Sequence, residues 1–290
     1  MTARTAVRAS SARFGFGEGL RWDAAGDRLL WVDLLAGRLH RAPLSDLDAV
    51  ETLVQLDGPL GAVTPCSDGG WLLAAGRGLS HLAEDGRVRP LVELEPPGSR
   101  MNDAACDLQG RFWVGSTADD EREGAGSLYR VDLDGTVVGV RGEVTIGNGP
   151  AFSPDGGTLY LDDSGRRVLL AFDLDPATGE LSRERELVRF ADGAGDGLTV
   201  DDEGFLWVAV FGGGAVHRYD PGGQLVERVE VAASQVSSCC LAGGRLFATT
   251  VAERLSGPEP DAGHLVVADV GVSGPPVRPF RGRLPSAPPG

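Results

Sequence analysis

The sequence predicts an all-β chain folded as a six-bladed propeller, with four-stranded blades around a central channel. Three observations carry that expectation. Forty-three Gly and eighteen Pro in 290 residues interrupt short apolar bursts, which suits many strands and tight turns and disfavours long helices. A unit made of a turn glycine followed by an apolar or aromatic strand recurs six times. Its anchor aromatics are spaced by about 40 to 47 residues, the length of one four-stranded blade.

Taken in order, the units are GDRLLWVDLL, GGWLLAAG, GRFWVGS, GGTLYLDD, GFLWVAVF and GGRLFATT, anchored by Trp31, Trp71, Trp113, Tyr160, Trp207 and Phe247. The first, third, fourth and fifth are followed by GRLHRAPL, GSLYRVDLDG, RVLLAFDLDPATG and AVHRYDPGG. These read as the third and outer strands of a blade, with Asp-Gly and Asp-Pro turns between them. The whole chain, 1–290, is expected to form one propeller domain, since 42% hydrophobic residues suffice for a core of that size. After about residue 272 the chain turns Pro-rich, and three courses are open to it: closing the ring, wrapping its outside or trailing as a tail.

Composition narrows the partners. The net charge is −15 and the basic residues are all Arg, with no Lys. Such a surface repels phosphate backbones and anionic lipid, which argues against nucleic-acid or membrane-surface binding. No stretch approaches the roughly 20 apolar residues of a membrane span, and the N-terminus lacks the apolar core of a signal peptide. Cys66, Cys106, Cys239 and Cys240 make a poor disulfide framework, so a reducing cytoplasm is the expected setting. A propeller's short protected edges let it stand as a monomer.

The six units can be aligned on one another. Eight residues before each turn glycine stand Glu18, Gly61, Asn102, Asn148, Asp196 and, in the last unit, the stretch from Gln235 to Ser237. Four of the six carry an oxygen-bearing side chain at one register. The first strand of each blade lines the channel, so equivalent positions form a ring at its mouth. Oxygens of Glu18, Asn148 and Asp196 are thereby expected to converge, in a set that suits a hard divalent cation. Each residue taken alone is equally at home in an Asx-turn. The four His (His40, His81, His217, His264) have no ligand spacing, and the adjacent Cys239 and Cys240 have no nearby His to activate a thiolate. The glycine cluster at 193–197 lacks the Lys and Ser or Thr of a phosphate loop.

At these residues the chain resembles the family of senescence marker protein-30 (regucalcin), gluconolactonase and luciferin-regenerating enzyme. The resemblance runs from GEGLRWD through RMNDAACDLQGRFWVGS, GNGPAFSPDGGTLYLDDS and GDGLTVDDEGFLWVA to SSCCLAGGRLFATT. It implies one divalent metal ion (Ca²⁺, Zn²⁺, Mn²⁺ or Mg²⁺) bound by Glu18, Asn148 and Asp196, with Arg100 and Asn102 facing the substrate. It also implies a further acidic substrate contact among Asp119, Asp120 and Glu121, for which Asp120 is favoured. Gly147 and Pro150 depart from the residues usual in relatives, so the shape of the site near Asn148 is less defined than the metal ligands.

A divalent ion with three protein ligands keeps open positions for water and for a carbonyl, the two needs of cyclic-ester hydrolysis. Asp196 is the candidate general base, with a hydroxide on the ion acting without it as the other course. Arg100 and Asn102 together donate to and accept from a polyhydroxylated lactone. The expected function is therefore metal-dependent opening of a sugar lactone to its acid. Two further readings stay open: hydrolysis of another electrophile, such as an organophosphate or a specialised-metabolite lactone, and a metal-binding propeller without turnover.

Overall fold

The computed structural model describes residues 2–286; the first residue and the last four of the expected domain span lie outside them. Six sheets radiate from a channel; in the first four the strands run outward in chain order, and in the fifth and sixth an N-terminal strand is added at the outer edge. Their innermost strands are Gly17–Asp23, Leu60–Pro65, Ser99–Cys106, Gly147–Phe152, Ala194–Val200 and Val236–Ala242. These six pack side by side around the ring. The only helical element among the described residues is a three-residue turn, Ser164–Arg166. Among the described residues no helix is long and apolar enough to cross a membrane.

Turn chemistry and aromatic burial explain why each repeat becomes a blade. The anchor aromatics stand on the second strands, where Trp31, Trp113, Trp207 and Phe247 are wholly buried between sheets. Losing such a ring costs about 3–5 kcal/mol. In two blades the turn before that strand is knotted to its Trp. Asp107 Oδ1 accepts from the backbone N–H groups of Gln109 and Arg111, while its Oδ2 accepts from Trp113 Nε1 at 3.0 Å. Asp201 repeats the arrangement with Glu203, Phe205 and Trp207. The outermost strands, such as Leu181–Arg189, are largely exposed and carry charge, as edges must to avoid pairing with other chains.

Ring closure uses the N-terminus. Val7–Arg8 forms the outermost strand of the sixth blade, antiparallel to Val266–Asp269. Thr2–Thr5 adds a fifth strand, parallel, to the outside of the fifth blade.

The Pro-rich C-terminal segment takes none of the expected courses. It crosses the end of the channel where the innermost strands finish, and it hydrogen-bonds to successive blades. Val277 N–H donates to Trp22 O at 2.7 Å, Phe280 N–H to Pro65 O at 2.8 Å and Arg281 N–H to Gly110 O at 3.0 Å. Phe280 is wholly buried in the apolar cluster between the second and third blades. Pro275 to Arg278 line a cavity together with all six innermost strands. One end of the channel is thus strapped over, and the other is left as the mouth.

Candidate active site

Each innermost strand is interrupted by a bulge near its start, where pairing with the second strand slips. The slips fall between Glu18 and Arg21, Leu60 and Ala62, Met101 and Ala104, Asn148 and Ala151, Gly195 and Leu198, and Val236 and Ser238. A bulge leaves a residue unpaired and re-aims its side chain. The register read from the sequence is the register of these bulges. Glu18, Asn102, Asn148 and Asp196 all turn into one pocket at the open mouth, and each is about 5% exposed or less. The second blade contributes no oxygen for a steric reason: a Cβ on Gly61 would lie 2.4 Å from the backbone oxygen of Asn102.

A run of hydrogen bonds ties three blades together around this pocket. Arg100 Nη1 donates to Asn102 Oδ1, and Asn102 Nδ2 donates to Asn148 Oδ1 at 2.5 Å. Asn148 Nδ2 donates to Ser164 Oγ at 2.8 Å, and that hydroxyl donates to Gly195 O at 2.6 Å. Ser164 and Asn102 together fix which way the Asn148 amide faces, with its oxygen on the side of Asn102.

The carboxylates are electrostatically ill at ease. Burial first, and then the charges of Asp196 and Asp103, push the Glu18 carboxyl well above the ordinary carboxylate range. Burial, followed by Asp103 and Asp162, does the same to Asp196, with Arg100 opposing both shifts. Asp103 is partly compensated by Arg21, which donates to its Oδ1 at 2.8 Å. The Asx-turns of this chain are made by residues such as Asp107 and Asp201, and Asp196 makes none. Its Oδ1 is buried without any hydrogen-bond partner.

An unpartnered buried carboxylate oxygen, in a pocket shared with a second carboxylate and the Asn148 amide, fits a hard cation that prefers oxygen donors. Glu18, Asn148 and Asp196 are the residues that would hold it. Among the described residues no three His, Cys, Asp or Glu side chains form such a group, so the set depends on the Asn148 amide.

The pocket has a volume of about 250 Å³, near the lower end of small-molecule sites. Arg100 and Asn102 line it beside the carboxylates, as the sequence led us to expect. Asp120 does not. Glu121 N–H donates to Ala118 O at 2.9 Å, closing a turn that puts Asp120 at its solvent tip, where it pairs with Arg122. It is Glu121, at φ +54°, whose side chain reaches the pocket. There it meets Arg254 of the sixth blade at 3.1 Å. Sequence reasoning left Ser164 and Arg254 unmarked. Ser164 follows GGTLYLDD directly, just beyond the pairing of Asn148 with Asp162, in a turn that no repeat marks.

Other reactive groups stay apart. All four cysteines are free, and burial pushes the Cys240 thiol up to about 12. No histidine lines the pocket.

Comparison with known proteins gives a consistent result. The profile of the SMP-30/gluconolactonase/LRE-like region matches residues 16–252. A 6-deoxy-6-sulfogluconolactonase of Pseudomonas putida is 35% identical over 79% of each chain. A pentonolactonase of Haloferax volcanii is 33% identical over 85% of each chain. The crystal structure of regucalcin from Agrobacterium tumefaciens, described as a calcium-binding protein, superposes with a TM-score of 0.90 at 29% identity, covering 97% of this chain and 99% of that one.

Proposed function

Since the chain belongs to the SMP-30/gluconolactonase/LRE-like family, we propose that it is a lactonase, opening a cyclic ester to its hydroxy acid with the aid of one divalent cation held by Glu18, Asn148 and Asp196. The observation that carries this reading is the unpartnered Asp196 Oδ1, facing a pocket that also presents Arg100 and Asn102.

When bound, the cation supplies Lewis acidity toward the lactone carbonyl and toward water. The chain's own residues divide the remaining work. Arg100 is half-buried and carries a planar fork of donors; it binds the acyl or hydroxyl oxygens and offsets negative charge developing on the carbonyl oxygen. Asn102, held by Arg100 on one side and Asn148 on the other, cannot rotate away and orients the ring. The Asp196 carboxylate, through the oxygen the cation leaves free, accepts a proton from water as the water oxygen bonds to the acyl carbon. The same proton then passes to the ring oxygen as the acyl C–O bond breaks. The products are a carboxylic acid and an alcohol on one molecule, and the acid ionises at neutral pH. Glu121 reaches the pocket in the place expected of Asp120, and there it pairs with Arg254.

The test is proton release from γ- and δ-aldonolactones by protein stripped of metal and then given Mn²⁺, Zn²⁺, Mg²⁺ or Ca²⁺. Acid production above the spontaneous rate, lost on stripping and regained on restoring an ion, is expected. Silence across the panel with metal bound would overturn the reading in favour of another electrophile or of a propeller without turnover.

A further inference from the structure

The polar groups of the pocket lie on its floor, and its upper part is different. Phe16, Leu34, Leu35, Ile146, Ala194 and Phe211 form a collar around the mouth. Phe16, Leu34 and Val251, with Phe211 against them, make an apolar cluster separate from the cores between blades. The Phe16 and Phe211 rings stack at 6.3 Å with 14° between their planes. Leu35 sits on the turn after the first blade's second strand and is 42% exposed. Among the described residues it is one of three large apolar side chains that the surface leaves open, and the one of them that borders the pocket.

Two charges reach this level, and they are spent on each other: Arg254 and Glu121 pair across the mouth, with the guanidinium also 6.0 Å from the Phe16 ring centre. The collar has no unpaired charge to select an anionic substituent. Its six apolar side chains also give no hydrogen bond to a chain of hydroxyls. A polyhydroxylated tail placed there would lose its water without replacement, which costs binding. An apolar tail gains by the same desolvation.

We propose that the physiological substrates are γ- or δ-lactones carrying an uncharged alkyl or aryl substituent on the ring carbon next to the ring oxygen, with the ester on the polar floor and the substituent against Leu35, Phe16 and Phe211. This inference rests on the lactonase reading and assigns its substrate class. Leu35 is a specificity-determining residue, because it is the exposed part of the collar and packs into no core cluster.

The experiment measures kcat/KM of the metal-loaded protein for a homologous series of γ-lactones, 4-methyl to 4-hexyl. A glucono-lactone and a 4-alkyl lactone ending in a carboxylate are run alongside. Burying each added methylene is expected to raise kcat/KM by roughly fourfold until the collar is filled. Leu35→Asn is expected to flatten that slope, and Leu35→Phe to retain it, with the circular dichroism spectrum unchanged in both. A flat series, with the glucono-lactone hydrolysed, overturns the inference and leaves the lactonase reading standing. Preference for the carboxylate-ended tail also overturns it, since it would show that Arg254 is free to bind an anion. No hydrolysis of any lactone by metal-loaded protein removes both.

Discussion

Replacing Asp196 by Asn should make the protein more stable without metal and nearly inactive with it. The side chain keeps its shape and loses its charge. In the wild type a buried oxygen of Asp196 lacks a partner, and its carboxylate shares the site with Glu18 and Asp103. A buried acceptor left unsatisfied costs about 1–3 kcal/mol. The Asn amide would bring a donor into a site surrounded by acceptors, so most of that cost is recovered. For a chain of this size about 2–4 °C of melting temperature corresponds to each kcal/mol, so a rise of about 2–12 °C is expected. Activity should fall by at least 10²–10⁴-fold, the usual contribution of a positioned proton acceptor, with loss of a cation ligand in addition. The assay pairs thermal melts after chelation with kcat/KM after metal is restored. A variant that melts lower than the wild type, or that keeps activity within tenfold, would refute the argument, because Asp196 would then serve the fold and not the reaction.

Ser164→Ala frees the Asn148 amide to rotate and should lower kcat/KM or metal affinity by about 10–100-fold, while Ser164→Thr, which keeps the hydroxyl, should restore much of it; titration calorimetry and initial rates read both. Burial and the nearby Arg228 charge push the His217 imidazole down to about 4, from an ordinary 6.5. Between those two values the unfolded chain binds a proton that the folded one refuses, so His217 makes stability fall as pH drops from about 6.5 to about 4 and has no such effect above 6.5. Urea midpoints at pH 7.5 and pH 5 should therefore separate less in His217→Gln than in the wild type. Truncation before Pro275 removes the buried Phe280 and the hydrogen bonds from Val277 to Arg281, and the melting temperature should drop by several degrees; an unchanged melt would show that the strap contributes little to stability.

How much of this was legible beforehand can be traced residue by residue. The blades were visible because each repeat spends its aromatic on the second strand and its glycine on the turn before it, and both leave a period in the sequence. The site was visible for a related reason: the bulge falls at the same count from that glycine in every blade, so Glu18, Asn102, Asn148 and Asp196 share a register. Asp120 was misplaced because the choice among three neighbouring acids is made by one hydrogen-bonded turn and a left-handed backbone at Glu121, which leave no period to read. Ser164 and Arg254 lie in connections between strands, where the chain obeys no repeat. Ring closure was hidden as well. Val7–Arg8 is too short to show alternation, and in the sixth blade fifteen residues, 251–265, separate Thr250 from the next strand, so the repeat unit dissolves there.

The stitching of the two chain ends sets a condition on how the protein is made. In synthesis, residues 2–8 are made long before their partners, Leu225–Glu230 and Val266–Asp269. The strap, whose segment from Val277 to Arg283 binds the first three blades, comes later still. Early blades therefore wait with open flanks while the rest of the ring is synthesised, and the vessel acquires its floor and its last wall only after the sixth blade has been made. A stalled or prematurely terminated nascent chain would be left as an open crescent with exposed strand edges, a ready target for chaperones and proteases.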